Sequence, residues 1–136
     1  MIFYLHGRGV GSEWAENLQV GDQMKLMGPG GRFKMNADAR HHLFFGDESS
    51  LGLYHHLKEI ANAVEYEYLC LLELDPEHTD WPDRLGIRAD IVPKADGAAA
   101  NWLTGLDRQI WQVWRSATFY LTGRTASIKS VRRALR

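Results

Sequence analysis

The feature that most constrains the fold is the alternation of strand-like and helix-like segments that begins at residue 41. The run "HHLFFG" is apolar and strand-like, and Leu51, Tyr54 and Leu57 then recur at the spacing of one helix face. A second strand is predicted in "EYEYLCLLEL", which ends in a nearly continuous apolar run, typical of a strand buried on both faces. Strands that alternate with helices predict a parallel sheet with right-handed crossover connections.

The alternation continues through the second half of the chain. The acidic segment 75–86 is predicted to be a loop, and "RADIVPK" to be a weak third strand with Pro93 at its end. One amphipathic helix is then predicted over residues 96–114, because apolar residues recur there at helical spacing. This apolar stripe comprises Ala99, Trp102, Leu103, Leu106, Ile110, Val113 and Trp114.

A fourth strand and a last helix complete the pattern. "ATFYLTG" predicts the strand, and Thr125 is predicted to cap a helix with an apolar side. That side carries Ile128, Val131 and Leu135. Residues 41–136 are therefore predicted to form a Rossmann-like α/β domain.

Residues 1–40 have a different character. "MIFYLH" predicts a short strand, and a glycine-rich turn then leads to a short helix over "SEWAENL". Ser12 is placed to cap this helix, and Glu13 lies in its first turn. "VGDQMKLMGPGGRF" predicts a turn, a strand and a tight corner. This part is predicted to be a remnant of β-barrel structure with too few strands to close.

Composition limits the class of protein. The chain of 136 residues has a formal net charge of -1, so it has no overall attraction to nucleic acid or to a membrane. Cys70 is the single cysteine, which excludes a disulfide within the chain. No stretch is long and apolar enough to span a membrane, and no signal peptide precedes the first predicted strand. We expect a cytoplasmic protein without membrane insertion and without a nucleic-acid partner.

The charges are unevenly distributed along the chain. Residues 65–83 include seven acidic residues and no Lys or Arg, whereas residues 124–136 include five basic residues and no acid. The ordinary interpretation is two solvated faces. The alternative is a basic rim for an anionic cofactor or ligand.

Three glycine-containing turns are candidate binding sites. Residues 46–50 end the first strand and open a helix, and residues 122–125 end the fourth strand and open another. Helix N-termini suit phosphate groups, although the acids Asp47 and Glu48 would repel one, and Glu48 better suits a ribose hydroxyl or a flavin edge. Residues 9–14 repeat the glycine-and-serine pattern before a short helix. For each turn, a purely structural role is the alternative.

The histidines do not predict a metal site. His41 and His42 are adjacent, as are His55 and His56, so the members of each pair point to different faces of a strand or helix. No second ligand falls at a zinc-like spacing, and Cys70 has no partner.

Taken in order, the motifs resemble the siderophore-interacting protein family. The matching pieces are "FYLHGRGVGSEWAENLQVGDQMKLMGPGGRF", "HLFFGDESSLGLYHHL" and "FYLTGRTASIKSVRRAL". The family consists of FAD-dependent ferric-siderophore reductases of the ferredoxin–NADP reductase superfamily. The resemblance implies a Rossmann-like NAD(P)-binding domain over residues 41–136, of the type found C-terminally in ferredoxin–NADP reductases, after a remnant of the flavin-binding barrel over residues 1–40.

The resemblance also implies cofactors, a substrate and site residues. The cofactors are FAD and either NADPH or NADH, and the substrate is a ferric siderophore whose iron leaves as Fe(II). Glu48 is the candidate catalytic residue. The flavin side comprises His6, Gly11, Ser12 and Trp14. The junction of flavin and nicotinamide comprises Gly46, Asp47, Glu48 and Ser49. The NAD(P)H side comprises Thr122, Gly123 and Arg124.

The sequence departs from the family pattern at several points. The Arg-x-Tyr-Thr/Ser motif of the flavin-binding barrel is absent, Arg124 stands where the family commonly has an acid, and "ADIVPK" matches the corresponding strand poorly although Lys94 keeps its terminal charge. We therefore expect a family member trimmed at both ends. The alternative hypothesis is an inactive binding or interaction module that forms a homo-oligomer to cover the missing barrel.

Overall fold

The computed structural model describes residues 3–25 and 34–136. The chain divides into two compact units, Met1–Met35 and Asn36–Arg136. Among the described residues, no helix combines the length and the apolar character that crossing a membrane requires. The predicted boundary between a barrel remnant and a Rossmann-like domain, at residues 40 and 41, stays a prediction.

The first unit contains the helix α1, Val10–Glu16. The prediction that Ser12 caps this helix is wrong, because Ser12 is buried within α1 and Gly9 is the N-cap residue. Gly9 has a φ of 83°, which glycine adopts without a steric cost, so the chain enters the helix about one turn before Ser12 would start it. Glu13 lies in the first turn, as predicted.

The strands predicted near the N-terminus are only partly covered by the described residues. Residues 3–6, the described part of the first predicted strand, form no strand. A strand needs a neighbour that exchanges backbone hydrogen bonds with it, and an apolar pattern alone does not provide one. The second predicted strand and its glycine-rich corner fall largely on residues 26–33, which lie outside the described residues.

The second unit is built on a parallel sheet of four strands in the order β3-β2-β1-β4. The strands are β1 (His41–Gly46), β2 (Glu67–Leu74), β3 (Asp90–Pro93) and β4 (Thr118–Leu121). Each of these strands was predicted, as was their parallel arrangement. The Rossmann-like α/β fold class is therefore confirmed.

Helices connect the strands. They are α2 (Leu51–Ala63), α3 (Trp81–Arg84), α4 (Ala98–Thr104), α5 (Arg108–Trp114) and α6 (Thr125–Ala134). The segment 75–86 is not a plain loop, since it contains a 3-10 turn at Pro76–His78 and then α3. A proline stands in the first turn of both, a position where its missing N–H costs nothing. Thr125 does not cap α6, because the helix begins at this residue and has no side-chain cap.

The prediction of one helix over residues 96–114 is wrong. The chain leaves the helical path at Gly105, and the Asp107 side chain then caps α5 by accepting a hydrogen bond of 2.7 Å from the Gln109 N–H. A short acidic side chain that bonds the backbone favours a new helix start over a continuing helix. Beyond this break the predicted apolar stripe is only partly buried, since Ile110 and Val113 are 43% and 49% exposed whereas Trp114 is buried.

Side chains alternate between two packed faces of the sheet. On one face, Leu43, Phe45 and Leu71 pack with residues of α4 and α6, which are Ala99, Leu103 and Val131. On the other face, the ring of Phe44 stacks on Tyr54 of α2, with ring centroids 5.2 Å apart. Strand β2 is buried over its last five residues, so the prediction that it is covered on both faces is confirmed.

Helix α2 ends in a left-handed residue that is not glycine. Glu65 has a φ of 57°, and the Tyr66 N–H donates a hydrogen bond of 2.8 Å to the Ala61 carbonyl across the turn. This is the hydrogen-bond pattern in which glycine is usually found at the left-handed position, because a Cβ atom is disfavoured there.

His42 forms a buried polar cluster beneath the amino end of the sheet. Its Nε2 lies 2.9 Å from the Ala39 carbonyl oxygen, and its Nδ1 lies 3.1 Å from the Tyr120 hydroxyl, which accepts from the Asn36 N–H at 2.8 Å. A neutral ring with its hydrogen on Nε2 satisfies all three bonds. Burial lowers the pKa of His42, with a smaller contribution from His41, while the Ala39 hydrogen bond opposes the shift.

Replacing Glu65 with glycine is expected to raise the free energy of unfolding by about 0.5–1 kcal/mol, because it removes the Cβ atom from a left-handed position. Urea unfolding at constant m-value measures the change. Glu59→Gly, at an exposed position within α2, is the matched control and should lower stability by about 1 kcal/mol. Destabilisation by both substitutions would contradict this account of the helix end.

The free energy of unfolding is expected to fall as pH drops below 6.5, the ordinary pKa of histidine. The unfolded chain binds a proton there that folded His42 does not bind, so stability is full above 6.5 and is lost toward the lowered folded pKa. The slope from one proton is at most about 1.4 kcal/mol per pH unit. His42→Gln should flatten this part of the profile, whereas His56→Gln, which changes an exposed histidine, should leave it intact.

Candidate functional site

The carboxyl ends of the parallel strands lie along one edge of the sheet, here called the carboxyl edge. Strands β2 and β3 follow β1 in order on one side of it. The connection after β3 then passes back across the sheet, so that β4 pairs with β1 on its other side. The topological switch point therefore lies between β1 and β4, the place where open α/β sheets bind ligands. The two turns with predicted site residues, after β1 and after β4, meet at this point.

Two glycines allow these turns to pack directly against each other. A Cβ atom on Gly46 would overlap the Ser50 hydroxyl and would lie 2.8 Å from Thr122 Oγ1. Gly123 has a φ of 90°, and a Cβ atom there would lie 2.7 Å from the Asp47 carboxyl group. Glycine is thus required at both positions by space, and at Gly123 also by the backbone conformation.

The hydroxyl of Thr122 belongs to an internal network. Its Oγ1 lies 2.7 Å from Ser50 Oγ and 2.6 Å from the Tyr54 hydroxyl, which itself donates to the Phe45 carbonyl. Burial raises the pKa of Tyr54, so this phenol stays protonated. The network joins β1, α2 and β4, and it holds the two turns in register.

Asp47 shapes the turn after β1. Its Oδ1 accepts hydrogen bonds from the Ser49 N–H at 3.0 Å and from the Ser49 hydroxyl at 2.5 Å. These bonds cap the short 3-10 turn Glu48–Ser50 that precedes α2. The second carboxylate oxygen lies against Gly123, at the junction of the two turns.

Glu48 is turned into the protein toward the ends of β2 and β3. Its side chain is 1% exposed, and its Oε1 accepts from the Asp75 N–H and from His78 Nδ1, both at 2.9 Å. Burial alone would raise the pKa of Glu48, but the hydrogen bond from the Asp75 N–H, the close contact with the Lys94 ammonium and the hydrogen bond from His78 outweigh it and lower the pKa to about 2. Glu48 is therefore ionised near neutral pH and does not serve there as a proton donor.

Lys94 bridges two carboxylates at the end of β3. Its Nζ lies 2.7 Å from Glu48 Oε2 and 2.7 Å from Asp75 Oδ2. Burial would lower the pKa of Lys94, but the two carboxylates raise it overall. The ring of His78 packs against the ring of Trp81, with centroids 4.0 Å apart and planes tilted by 31°, and this contact fixes its orientation beside Glu48.

A second buried acid lies next to Arg124. The hydroxyl of Ser127 donates to Glu73 Oε2 at 2.8 Å and accepts from Arg124 Nε at 3.1 Å. Arg124 Nε also lies 3.5 Å from Glu73 Oε1. Burial raises the pKa of Glu73, and the Ser127 hydrogen bond and the Arg124 charge offset this only in part. The guanidinium of Arg124 is thus fixed to the end of β2.

The predicted flavin-side residues all lie in the first unit. His6, Gly11 and Trp14 are exposed, and Trp14 packs edge-on against Phe3 with ring centroids 5.7 Å apart. Ser12 is buried, and its hydroxyl has no hydrogen-bond partner among the described residues. Trp14 also borders a shallow cavity of about 410 Å³.

The sequence prediction missed part of the carboxyl edge. The sequence analysis placed Glu73 in the second strand and Asp75 and His78 in the acidic loop that follows it, and it gave none of the three a role in a site. The sequence did contain a signal for a site: acidic residues at the end of a buried strand, followed by a histidine three positions after Asp75. The structure brings these residues to Glu48, Lys94 and Arg124.

Comparison with known proteins shows similarity over part of the chain. Residues 1–33 match the family described as the siderophore-interacting FAD-binding domain. The chain is also similar to proteins named as uncharacterized from Mycobacterium bovis and Mycobacterium tuberculosis, with 34% identity over 108 residues. These alignments cover 66% of this chain but 36% of each relative, so the chain spans little more than a third of their length. No solved structure shows significant similarity. The first 33 residues are thus similar to a siderophore-interacting flavin-binding segment.

Proposed function

We propose that this chain belongs to a flavin-dependent NAD(P)H:ferric-siderophore reductase, in which residues 36–136 bind the nicotinamide dinucleotide. The observation that carries the proposal is the pair of glycine turns that meet at the switch point of a parallel sheet. The match of residues 1–33 to a siderophore-interacting FAD-binding domain supports the flavin and the substrate class. The chain spans little more than a third of its relatives, so the activity of the whole protein is part of the proposal.

The described residues fit the proposed cofactors at two places. In the first unit, the buried Ser12 hydroxyl lacks a partner among the described residues, and the nearby Trp14 offers an exposed aromatic ring. At the carboxyl edge, Gly46 and Gly123 leave no Cβ atom between the turns. Bound FAD would supply the redox chemistry, carrying reducing equivalents from NAD(P)H to Fe(III), so that weakly held Fe(II) leaves the siderophore.

The residues of the carboxyl edge bind and orient in this proposal. Gly123 lets the turn after β4 pack directly on Asp47, and the Asp47 carboxylate would hold a ribose hydroxyl of the dinucleotide by accepting a hydrogen bond. Glu48, which is ionised and buried, contributes a fixed negative charge and holds the strand ends in place. Arg124 keeps a partly exposed guanidinium near the turn after β4.

The purified chain is expected to bind FAD and NAD(P)H saturably. Binding of either cofactor is followed by quenching of tryptophan fluorescence, and bound FAD is also detected by its absorbance band at about 450 nm. Gly123→Ala should weaken NAD(P)H binding tenfold or more, because the added Cβ atom meets Asp47. Gly86→Ala is the matched control: it also has a positive φ, but its Cβ atom would meet only the flexible end of Lys58, and it should bind normally. A wild-type chain that responds to neither cofactor would refute the proposal.

A second candidate function is that of an interaction module, and a specific observation favours it. Several large apolar side chains are exposed within residues 3–25, although such residues usually lie inside a protein. They are Phe3, Leu5, Val10, Trp14, Val20 and Met24. A second copy of the chain would cover this surface.

Sedimentation velocity is expected to detect a concentration-dependent dimer if this second function applies. Combining Phe3→Ser with Leu5→Ser should weaken the dimer at least tenfold, because it removes apolar surface from the contact. Val64→Ser, at an exposed apolar residue of the second unit, is the control and should leave the dimer unchanged. A wild-type protein that is monomeric at all concentrations would exclude this candidate.

A further inference from the structure

Three potential metal ligands converge at the carboxyl edge. Glu48 follows β1, and Asp75 and His78 follow β2. We propose that these three side chains form a binding site for a divalent first-row transition ion such as zinc, cobalt(II) or iron(II), and that the Lys94 ammonium is the internal cation with which this ion competes.

The positions of the ligand atoms suit one metal ion. One donor atom from each of the three residues lies within 4.8 Å of the others, and His78 Nδ1 is 2.9 Å from Glu48 Oε1. Nitrogen and oxygen ligands bind zinc at about 2.0–2.2 Å in tetrahedral geometry, so two ligands of one ion lie about 3.3–3.6 Å apart. Side-chain shifts of up to about 1 Å therefore bring the three donors to bonding distance.

The second carboxylate oxygen of Glu48 is an independent indication of a cation site. Glu48 Oε2 is buried and makes no hydrogen bond of good geometry within the described residues. It lies instead 2.7 Å from the charged Nζ of Lys94. A buried carboxylate oxygen whose lone pairs face a cation, without a directional hydrogen bond, is equally suited to a metal ion.

Lys94 can leave this position. Its side chain is 24% exposed, so its flexible stem can carry the ammonium to solvent while the charge is retained. Two carboxylates and one ammonium give the cluster a net charge of about -1, whereas the same carboxylates with a divalent ion are neutral. Exchange of the ammonium for the ion thus balances the charge of the two carboxylates, of which Glu48 is buried and Asp75 is partly exposed.

The ligand set favours transition ions over magnesium and calcium. An imidazole suits zinc, cobalt and iron, whereas magnesium and calcium prefer oxygen ligands alone. When an ion is bound, the ring hydrogen of His78 moves from Nδ1 to Nε2, so that Nδ1 offers a lone pair, and the contact with Trp81 already holds the ring. Three protein ligands leave at least one position for water or an exchangeable ligand. Iron(II), the product ion of the proposed reaction, belongs to the same class.

Binding of zinc and of cobalt(II) to the purified chain tests the proposal, by calorimetry and by the visible absorption of cobalt, without FAD or NAD(P)H. We expect one ion per chain and no comparable binding of magnesium. His78→Gln and Asp75→Asn should each weaken binding tenfold or more. His56→Gln removes an exposed histidine outside the site and should change nothing. Equal losses in all three variants, or none, would overturn the site.

Lys94→Met gives the most distinctive outcome. Removal of the competing ammonium should tighten zinc binding about tenfold, whereas a lysine that only supports the fold would give weaker binding or no change. If Glu48, left without its cation, destabilises this variant, zinc should raise its melting temperature more than that of the wild type. A wild-type chain and a Lys94→Met chain that both fail to bind zinc or cobalt would overturn the proposal. Because no cofactor is present, that result would leave the proposed reductase function standing.

Discussion

Glu48 places an ionised carboxylate in the protein interior at the point where three strands end. It accepts a hydrogen bond from the Asp75 N–H at the end of β2 and forms an ion pair with the Lys94 ammonium at the end of β3. Removing the Lys94 ammonium would leave this buried charge without its countercharge, and this is far more costly than the loss of an exposed ion pair. The geometry of the carboxyl edge therefore depends on this one side chain, and the loop with His78 is attached to the same group.

Glu73 is a second buried carboxylate with a basic neighbour, Arg124, but its pKa changes in the opposite direction to that of Glu48. Glu48 has several donors and a lowered pKa, whereas Glu73 has one hydroxyl and a guanidinium at 3.5 Å, and its pKa is raised. The two basic residues nearest the switch point, Lys94 and Arg124, are thus partly neutralised by buried acids. Such an edge suits hydroxyl groups and cations better than exposed phosphate groups, and this is consistent with a ribose contact at Asp47.

Much of the fold could be predicted, because it rests on periodicity that is visible in the sequence. β1, α2 and β2 combine apolar repeats with clear turn residues, and the structure contains all three. The helix break near Gly105 was missed, because the apolar stripe continues across it and a single capping aspartate decided the outcome. The cap at Gly9 was missed for a similar reason, since positive φ at glycine outweighed the serine signal.

The sequence predicted the parts of the candidate site that lie in short local motifs, but it did not predict the contacts between distant parts of the chain. The turns at Gly46 and Gly123 are encoded by short segments, and their meeting follows from parallel strand order. The contacts of Glu48 are not local: Lys94 and His78 lie 46 and 30 residues away in the chain. Which acid turns inward depends on the loops after β2 and β3, and periodicity does not describe loops. Asp75 and His78 lie three residues apart on a 3-10 turn. They form a potential set of metal ligands only together with Glu48, which follows β1. A site assembled in this way, with its own lysine as the resident cation, can support the fold when no ion is bound and can exchange that lysine for an ion when one is available.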